Sequence, residues 1–333
     1  MAQSKNSQKP HDQMAAYLAQ DLDAVNTLIR TRMASKHAPR IPEVTAHLVE
    51  AGGKRLRPML TLAAAGLCGY DGPYHVHLAA TVEFIHTATL LHDDVVDESG
   101  QRRGRPTANL LWDNKSSVLV GDYLFSRSFQ LMVETGSLEV LDILANASAT
   151  IAEGEVLQLT ASQDLATTEA IYVQIVRGKT AALFSAATKV GGVIATASDA
   201  QVQALYDYGD ALGIAFQIVD DLLDFQGDAG AIGKNLGDDF RERKLTLPLI
   251  KAVARADTEE RAFWERTIEK GRQTDGDLET VQSLLRKHNA LTDTATQARD
   301  WAAKAKAALA PLPEHALKDM LGDLADYVVE RIN

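Results

Sequence analysis

The sequence predicts an all-α fold built from long helices, and three observations support that prediction. Apolar residues recur at helical spacing along most of the chain, whereas the alternation typical of β-strands is almost absent. Alanine, the strongest helix former, is abundant within those segments. Glycine and proline are concentrated in short breaks, and no low-complexity linker divides the chain. Although 333 residues could hold two domains, we predict one at 11–333, after a disordered tail at 1–10.

Caps and breaks set the boundaries of the predicted helices. Ser137, Thr168 and Ser198 each precede an apolar segment, and such side chains accept hydrogen bonds from the free N–H groups of a helix N-terminus. Turn-forming residues supply the breaks, which fall at 51–53, 69–73, 100–106 and 227–237. The predicted helices are 11–34, 41–51, 57–69, 74–97, 116–134, 137–163, 168–190, 199–225, 245–255, 258–270, 276–288, 290–310 and 313–331.

Composition and charge argue against several classes of protein. The net charge of −11 argues against a general nucleic-acid binder. The single cysteine, Cys68, excludes an intrachain disulfide and a cysteine-rich metal site. No apolar stretch approaches the length of a membrane span, and the polar N-terminus lacks the apolar core of a signal peptide. We therefore predict a cytoplasmic protein that binds no nucleic acid.

Two copies of one acidic pattern are the most informative feature of the chain. Asp-Asp-Val-Val-Asp occupies 93–97 and Asp-Asp-Leu-Leu-Asp occupies 220–224, each after a long apolar run. The first and last carboxylates of each copy are about 40° apart around a helix, so they cluster on one side. Two such helices facing each other repel unless cations lie between them, and all-oxygen ligation suits Mg²⁺ with a substrate phosphate. The predicted metal ligands are Asp93, Asp94, Asp97, Asp220, Asp221 and Asp224.

A second interpretation of the acidic residues needs no metal. Solvated acidic faces or helix N-caps account equally well for one such triplet. Two triplets that both end apolar runs favour the metal site, because burying an unpaired carboxylate is unfavourable.

Basic residues close to the acidic motifs are candidates for phosphate binding. Gly-Gly-Lys-Arg-Leu-Arg-Pro at 52–58 precedes a predicted helix and offers Lys54 and Arg57, while Arg102 and Arg103 closely follow the first acidic motif. Solvated surface charges are the alternative for each cluster. His86 lies seven residues before Asp93, on nearly the same helix face, where a core histidine is the ordinary explanation. Weaker candidates are Lys179, Thr180, Gln217, Lys234 and Lys244.

Together these motifs resemble those of trans-type prenyl diphosphate synthases, especially the long-chain octaprenyl, solanesyl and decaprenyl group. The resemblance covers roughly residues 40–255 and rests on GGKRLRP, HDDVVDES, RRGRPTAN, GKT, FQIVDDLLD and GKNLGDD. It implies an isoprenoid synthase type of helical bundle with a central cavity. It also implies a Mg²⁺-dependent enzyme that extends an allylic diphosphate with isopentenyl diphosphate, and a homodimer. Release of a long apolar product further suggests transient membrane association.

The resemblance also implies a role for each matching residue. The first aspartate-rich motif holds Mg²⁺ on the allylic diphosphate and the second holds a further Mg²⁺. Lys54, Arg57 and His86 bind isopentenyl diphosphate, Arg102 binds the allylic diphosphate, and Arg103 makes a second contact to isopentenyl diphosphate. The groups placed around the allylic diphosphate and its leaving group are Lys179, Thr180, Gln217, Lys234 and Lys244. The residues expected to act in catalysis are Lys179 and the six aspartates.

Residues just before the first acidic motif are predicted to control product length. Short-chain relatives often carry aromatic residues there, whereas this chain has Ala88 and Thr89. Thr89, His86 and Val82 lie within about 40° of Asp93 on the helix, so a growing chain is expected to run along this face. The candidates are Ala88, Thr89, Ile85 and Val82. Alternatively, Ala88 simply permits close helix packing.

Four other functions are alternatives to long-chain synthesis. A short-chain farnesyl or geranylgeranyl diphosphate synthase shares the same motifs. A class I terpene cyclase resembles this chain in its first motif but replaces the second and lacks the isopentenyl diphosphate residues. A non-catalytic synthase subunit typically loses an acidic motif, whereas both are whole here. A purely structural helical protein needs neither GGKRLRP nor the arginines that follow the first motif.

Overall fold

The fold is taken from a computed structural model, which describes residues 9–50, 53–102, 104–226 and 236–332. It is 77% helical, which confirms the predicted all-α class. The helices are α1 (Pro10–Tyr17), α2 (Ala19–Met33), α3 (Arg40–Glu50), α4 (Leu56–Leu67), α5 (Tyr74–Val96), α6 (Ala108–Leu111), α7 (Asn114–Glu134), α8 (Leu138–Ala161), α9 (Glu169–Val176), α10 (Ala182–Ile194), α11 (Asp199–Gln226), α12 (Asp238–Arg241), α13 (Leu247–Ala254), α14 (Thr258–Trp264), α15 (Asp277–Lys287), α16 (Ala290–Ala308) and α17 (Ala316–Glu330).

Small residues let the central helices approach closely. α10 packs against α4, α5, α8 and α11, and α11 packs in turn against α16. A Cβ at Gly191 would lie 2.8 Å from the Thr61 carbonyl oxygen, and one at Gly209 would lie 2.5 Å from the Ser185 Cα. Because any larger side chain at these two positions meets backbone atoms, the glycines set the spacing of α10 from α4 and α11.

Side-chain caps begin several helices, and those at Ser137 and Thr168 were predicted. The Ser137 and Thr168 side chains accept hydrogen bonds from Val140 N and Ile171 N at the starts of α8 and α9. Asp257 caps α14 reciprocally with Glu260, each side chain bonding the other residue's backbone N–H. These contacts satisfy backbone donors that have no partner within the helix.

Several predicted boundaries were wrong. The predicted helix 11–34 is broken at Leu18, because α1 packs on α17 whereas α2 packs on α5 and α7. The predicted helix 168–190 contains a π-helical segment, Arg177–Ala181, and a second one at Glu265–Glu269 follows α14. The last helix begins at Ala316 rather than 313, because His315 is extended and its side chain caps the helix by accepting a hydrogen bond from Leu317 N.

Four short elements were not predicted. Gln101–Arg102 and Arg105–Pro106 form a two-stranded antiparallel pair, β1 and β2, and α6 and α12 are single helical turns. Of the predicted tail at 1–10, residues 1–8 lie outside the described residues, whereas Pro10 already begins α1. None of the helices in the described ranges is both long enough and apolar enough to cross a membrane.

Candidate active site

Residues of both acidic motifs line one cavity of about 530 Å³. Asp93 and Asp97 come from the C-terminal end of α5, and Asp220, Asp221 and Asp224 come from the same end of α11. Side chains of α8, α9 and the first π-helical segment complete the walls. Carboxylates placed on either side of a gap repel each other, so the geometry favours a cation or a cationic side chain between them.

Burial disfavours the charged form of Asp93. Burial first, and then the nearby carboxylate of Glu155, raise the pKa of Asp93 to about 7. Asp97, at the end of α5, lies 3.3 Å from the Lys244 ammonium. Burial lowers the pKa of Lys244, but Asp97 and Glu242 outweigh that effect and raise it, so this lysine stays charged. The first motif therefore sits in surroundings that a further cation stabilises.

Asp94 differs from its neighbours because it faces Arg102 rather than the cavity. Both Nε and Nη2 of Arg102 lie within hydrogen-bond distance of Asp94 Oδ1, at 2.8 and 2.7 Å. The other oxygen, Oδ2, is buried and has no hydrogen-bond partner among the described residues. Burial raises the pKa of Asp94, against the effect of Arg102. In this structure Asp94 thus anchors a cavity arginine.

A chain of hydrogen bonds fixes the middle residue of the second motif. Thr180 Oγ1 donates to Gln217 Oε1 at 2.7 Å, and Gln217 Nε2 donates to Asp221 Oδ1 at 2.7 Å. The Tyr172 hydroxyl donates to Asp221 Oδ2 at 2.6 Å. Burial raises the pKa of Asp221 to about 6 even though both donors favour its charged form. The network ties α9, the π-helical segment and α11 into one rigid wall.

The outer aspartates of the second motif have different partners. Asp224 accepts hydrogen bonds from the backbone N–H groups of Asp238 and Asp239, which holds α12 beside the cavity. Asp220 Oδ1 lies 3.0 Å from Arg331 Nη1, at the end of α17. The C-terminal helix therefore reaches the cavity through one guanidinium group.

A cluster of basic residues lies on the α4 side of the cavity. Arg57 Nη1 is 3.3 Å from His86 Nε2, and the guanidinium stacks 4.6 Å from the Phe184 ring centroid. Lys54 is not among the lining residues; its ammonium lies 5.7 Å from the Tyr327 ring. Burial and the charge of Arg331 lower the pKa of Lys54. An anionic group bound here would relieve that repulsion.

The π-helical segment places Lys179 and Thr180 in the cavity wall. Lys179 Nζ is 2.9 Å from Glu155 Oε2 on α8. An extra residue per turn bulges the backbone, and such bulges often occur at functional sites. The bulge fits because Gly154 and Gly178 face each other with no side chain between them.

The donor set fits a hard divalent cation, although the side chains are not preassembled for one. Within the described ranges, no group of three or more His, Cys, Asp or Glu side chains is arranged to hold a metal ion. The carboxylates are instead turned toward cations and polar groups of the chain. However, Asp93, Asp97, Asp220 and Asp224 line one cavity and offer only oxygen, which suits Mg²⁺ or Ca²⁺. The raised pKa of Asp93 and the orphaned oxygen of Asp94 agree with this fit.

Comparison with known proteins decides the family. The Polyprenyl synthetase family profile matches residues 38–285. The chain belongs to the polyprenyl synthetase family. Members of this family are prenyltransferases that depend on divalent metals.

Individual polyprenyl synthetases are similar along almost the whole chain. Octaprenyl diphosphate synthase of Escherichia coli is 44% identical over 313 residues, 94% of this chain and 96% of that protein. A decaprenyl diphosphate synthase from Rhodobacter capsulatus is 74% identical, with a TM-score of 0.95 over 97% of this chain and 100% of that one. A polyprenyl synthase from Caulobacter crescentus, complexed with calcium and isoprenyl diphosphate, is 50% identical, with a TM-score of 0.93 over 98% and 99% of the chains.

The structure brings together most of the predicted polyprenyl synthetase site residues. Asp94 and Lys54 lie beside the cavity rather than in its lining, and Arg103 and Lys234 lie outside the described residues. Of the predicted length-controlling residues, Thr89 lines the cavity, whereas Ala88, Ile85 and Val82 are fully buried. The predicted residues that line it are Arg57, His86, Thr89, Asp93, Asp97, Arg102, Lys179, Thr180, Gln217, Asp220, Asp221, Asp224 and Lys244.

Three cavity residues were missed by sequence reasoning. Glu155 pairs with Lys179, Tyr172 bonds Asp221 and Arg331 pairs with Asp220. Tyr172 lies seven residues before Lys179, a helical spacing that offered a weak signal. Arg331 is 111 residues from Asp220, so no local pattern connects the two.

We expect Gly154→Ala to impair catalysis more than folding. The added Cβ would lie 2.6 Å from Lys179 N and 2.8 Å from the Gly178 carbonyl carbon, so the π-helical backbone has to move. A shift of about 1 Å in a substrate-positioning group lowers turnover by as much as a hundredfold. The test measures both kcat and the midpoint temperature of thermal unfolding. Gly322→Ala is the control, because no atom lies within 4 Å of its Cβ. Wild-type kcat in Gly154→Ala would contradict the importance of the bulge.

Proposed function

We propose that this protein is a Mg²⁺-dependent long-chain polyprenyl diphosphate synthase that works in the cytoplasm as one all-α domain. It condenses isopentenyl diphosphate repeatedly, head to tail, onto an allylic diphosphate. The observation that carries this proposal is one cavity that holds both aspartate-rich motifs and, beside them, the separate basic cluster of Arg57 and His86. Similarity to octaprenyl and decaprenyl synthases supports an all-trans product of octaprenyl to decaprenyl length, suited to a ubiquinone side chain.

The allylic diphosphate is proposed to bind between the two acidic motifs. Asp93, Asp97, Asp220 and Asp224 line the same cavity and would hold Mg²⁺. Arg102, Lys179 and Lys244 line the same cavity and supply positive charge for the remaining phosphate oxygens. Each of these three cations is paired with a carboxylate in this structure, to Asp94, Glu155 and Asp97 respectively. A bound diphosphate takes over part of that pairing.

Isopentenyl diphosphate is proposed to bind at Lys54, Arg57 and His86, with Arg103 as a further contact. Arg57 and His86 are neighbours in the cavity wall. Each diphosphate then has its own set of cationic side chains, so both substrates can bind at the same time without competing for the same positive charges. The reacting carbon of one substrate is thereby held beside the double bond of the other.

The residues then promote ionisation of the allylic substrate. Asp93, Asp97, Asp220 and Asp224 would hold Mg²⁺, which would supply positive charge to offset that of the departing diphosphate. The carbon–oxygen bond breaks, and Lys179 and Gln217, which Thr180 holds in place, offer N–H donors where negative charge develops on the leaving oxygens. Leu90, Ile151 and Phe216 line the cavity with apolar surface that keeps water from the allylic cation. The double bond of isopentenyl diphosphate forms the new carbon–carbon bond, and the departed diphosphate accepts the proton that is lost.

We also propose that two copies associate through α7 and α8. Both helices carry large apolar side chains on exposed positions, among them Leu119 and Val133 at 66% exposure and Val156 at 62%. Exposed apolar surface of this kind is typical of an interface. The mass in solution, measured by light scattering, tests the homodimer.

Release of the product is proposed to involve transient contact with a membrane.

A product assay tests the proposed function directly. Purified protein is incubated with Mg²⁺, isopentenyl diphosphate and farnesyl diphosphate, and the products are separated by chromatography. Linear diphosphates of octaprenyl to decaprenyl length are expected. Farnesyl or geranylgeranyl length would indicate a short-chain synthase, cyclic hydrocarbons a terpene cyclase, and no conversion a non-catalytic subunit.

We expect two arginine substitutions to separate the substrate sites. Arg57→Ala should raise the KM for isopentenyl diphosphate, and Arg102→Ala should impair use of the allylic diphosphate. Loss of a charged hydrogen-bond donor is worth about 1.5–3 kcal/mol, or roughly ten- to a hundredfold in either constant. Arg105→Ala is a control, because this exposed residue of β2 does not line the cavity. A loss of affinity for the same substrate in both variants would overturn the assignment.

A further inference from the structure

An ion pair outside the cavity joins Arg55, which directly precedes α4, to Glu83 on α5. The Arg55 guanidinium bonds the Glu83 carboxylate, and the two side chains are only 18% and 10% exposed. Neither residue lines the main cavity. Arg55 precedes α4 with φ 48°, a left-handed conformation that is uncommon for a residue with a side chain. The pair is therefore a tether between two segments, not a contact to substrate.

The tether connects the two groups of residues that form the basic cluster. Arg55 lies between Lys54 and Arg57, which is in the first turn of α4, and Glu83 lies one helical turn before His86 on α5. A second, small cavity of about 10 Å³ is lined by Arg55, Glu83 and His86 and adjoins the main one. A shift of the start of α4 relative to α5 would separate Arg57 Nη1 from His86 Nε2, which are 3.3 Å apart.

Stability alone does not account for this pair. Glu83 lies in the buried part of α5, between Val82 and Phe84. A buried ion pair is often no more stabilising than apolar side chains of similar volume, whereas a lone buried carboxylate is strongly unfavourable. An ion pair does, however, fix the relative position of the two segments that it joins, here the start of α4 and α5. The other side of the loop is also held, because His11 Nε2 lies 2.5 Å from the Lys54 carbonyl oxygen.

We propose that Arg55 and Glu83 are positioning residues for isopentenyl diphosphate. Their ion pair sets the distance between the start of α4, with Lys54 just before it and Arg57 in its first turn, and the helix that carries His86, and so shapes the site for the diphosphate group. The inference rests on the proposed function and concerns only one of its two substrates. The allylic carboxylates Asp93 and Asp97 lie nearer the C-terminal end of α5 than Glu83, so we expect the pair to affect them less, although Arg102 also lines the small cavity beside the pair.

The test replaces both partners together, so that no buried charge is left behind. Arg55→Met with Glu83→Leu is expected to fold, with a melting temperature close to that of the wild type. Its KM for isopentenyl diphosphate should rise about tenfold or more, since small misplacements of binding groups are costly. Its KM for farnesyl diphosphate should stay within about twofold. Glu83→Gln, which keeps the side-chain shape but removes the charge, provides a second variant if the double variant does not fold.

A matched control removes a different ion pair. Arg266 and Asp277 form an ion pair with two hydrogen bonds, at 2.9 and 2.6 Å, and neither residue lines the cavity of the site. Arg266→Met with Asp277→Leu should leave both KM values unchanged. If the Arg55 and Glu83 variants raise both KM values equally, or neither, the positioning role is overturned. If the wild type itself makes no prenyl product, the proposed function fails and this inference falls with it.

Discussion

Asp93→Ala and Asp220→Ala should each reduce turnover by about a hundred- to a thousandfold or more. Each substitution removes a carboxylate from one wall of the cavity, and removal of a single preorganised charge-stabilising group has effects of this size. Both walls are needed if the diphosphate is held between them. The measurement is kcat at saturating Mg²⁺ with farnesyl and isopentenyl diphosphates.

Although turnover falls, the thermal stability of both variants is expected to rise or to stay unchanged. Burial and the Glu155 carboxylate raise the pKa of Asp93 to about 7, so the charged form is disfavoured in the folded, metal-free protein. Asp93→Ala removes that penalty, and metal-free unfolding should occur at an equal or higher temperature. Asp220→Ala loses only a partly exposed pair with Arg331, and pairs of this kind contribute little.

An exposed carboxylate on a neighbouring helix provides the control. Asp142→Ala, on α8, removes the same charge away from the cavity and should keep wild-type turnover. Wild-type rates in Asp93→Ala or Asp220→Ala would refute the two-motif metal site. A large loss of helical circular dichroism would instead indicate that these aspartates are structural.

Ala88→Phe should shorten the major product sharply, toward farnesyl or geranylgeranyl length. Ala88 is one residue from Thr89, which lines the cavity, and five residues before Asp93. A prenyl chain whose diphosphate is held at Asp93 is proposed to grow along α5 toward its N-terminus. A phenyl ring at position 88 would block that path within the first turns. First-condensation rates should stay within about tenfold, because the ring lies away from the phosphate groups.

The proposed path of the growing chain is filled by buried side chains. Ala88, Ile85 and Val82 are completely buried, so a long product has to displace side chains as it grows. Inserting a ring into such a core typically destabilises a protein by about 1–3 kcal/mol. Ala79→Phe controls for that effect, since Ala79 is equally buried but about 180° around the same helix. Product chromatography of both variants decides the question: an unchanged distribution in a folded, active Ala88→Phe enzyme would place the tunnel elsewhere.

Much of the fold was predictable because helical periodicity is a local property. The bounds of α5, α7 and α11 were predicted to within about two residues, which is the ordinary uncertainty of a helix end. The break at Leu18 was not predictable, since it depends on which neighbours α1 and α2 pack against. The π-helical segment at Arg177–Ala181 depends likewise on Gly154 of another helix.

The candidate site was predictable in its chemistry but not in its pairing. The two acidic motifs and the basic loop were recognisable from residue type and spacing, and the structure places them around one cavity. The separation of Asp94 from the other aspartates was not, because Arg102 turns it away from the cavity. Within one motif, identical side chains therefore have different surroundings.

The sequence by itself determined the helices, the family and the residue types of the site, because periodicity and motifs are written in neighbouring positions. Only the tertiary structure decided which charges meet: Lys244 with Asp97 across 147 residues, Arg331 with Asp220 across 111, and Arg55 with Glu83 across 28. Such contacts follow from how helices pack, and a single sequence carries no local pattern for two residues that folding brings together from far apart.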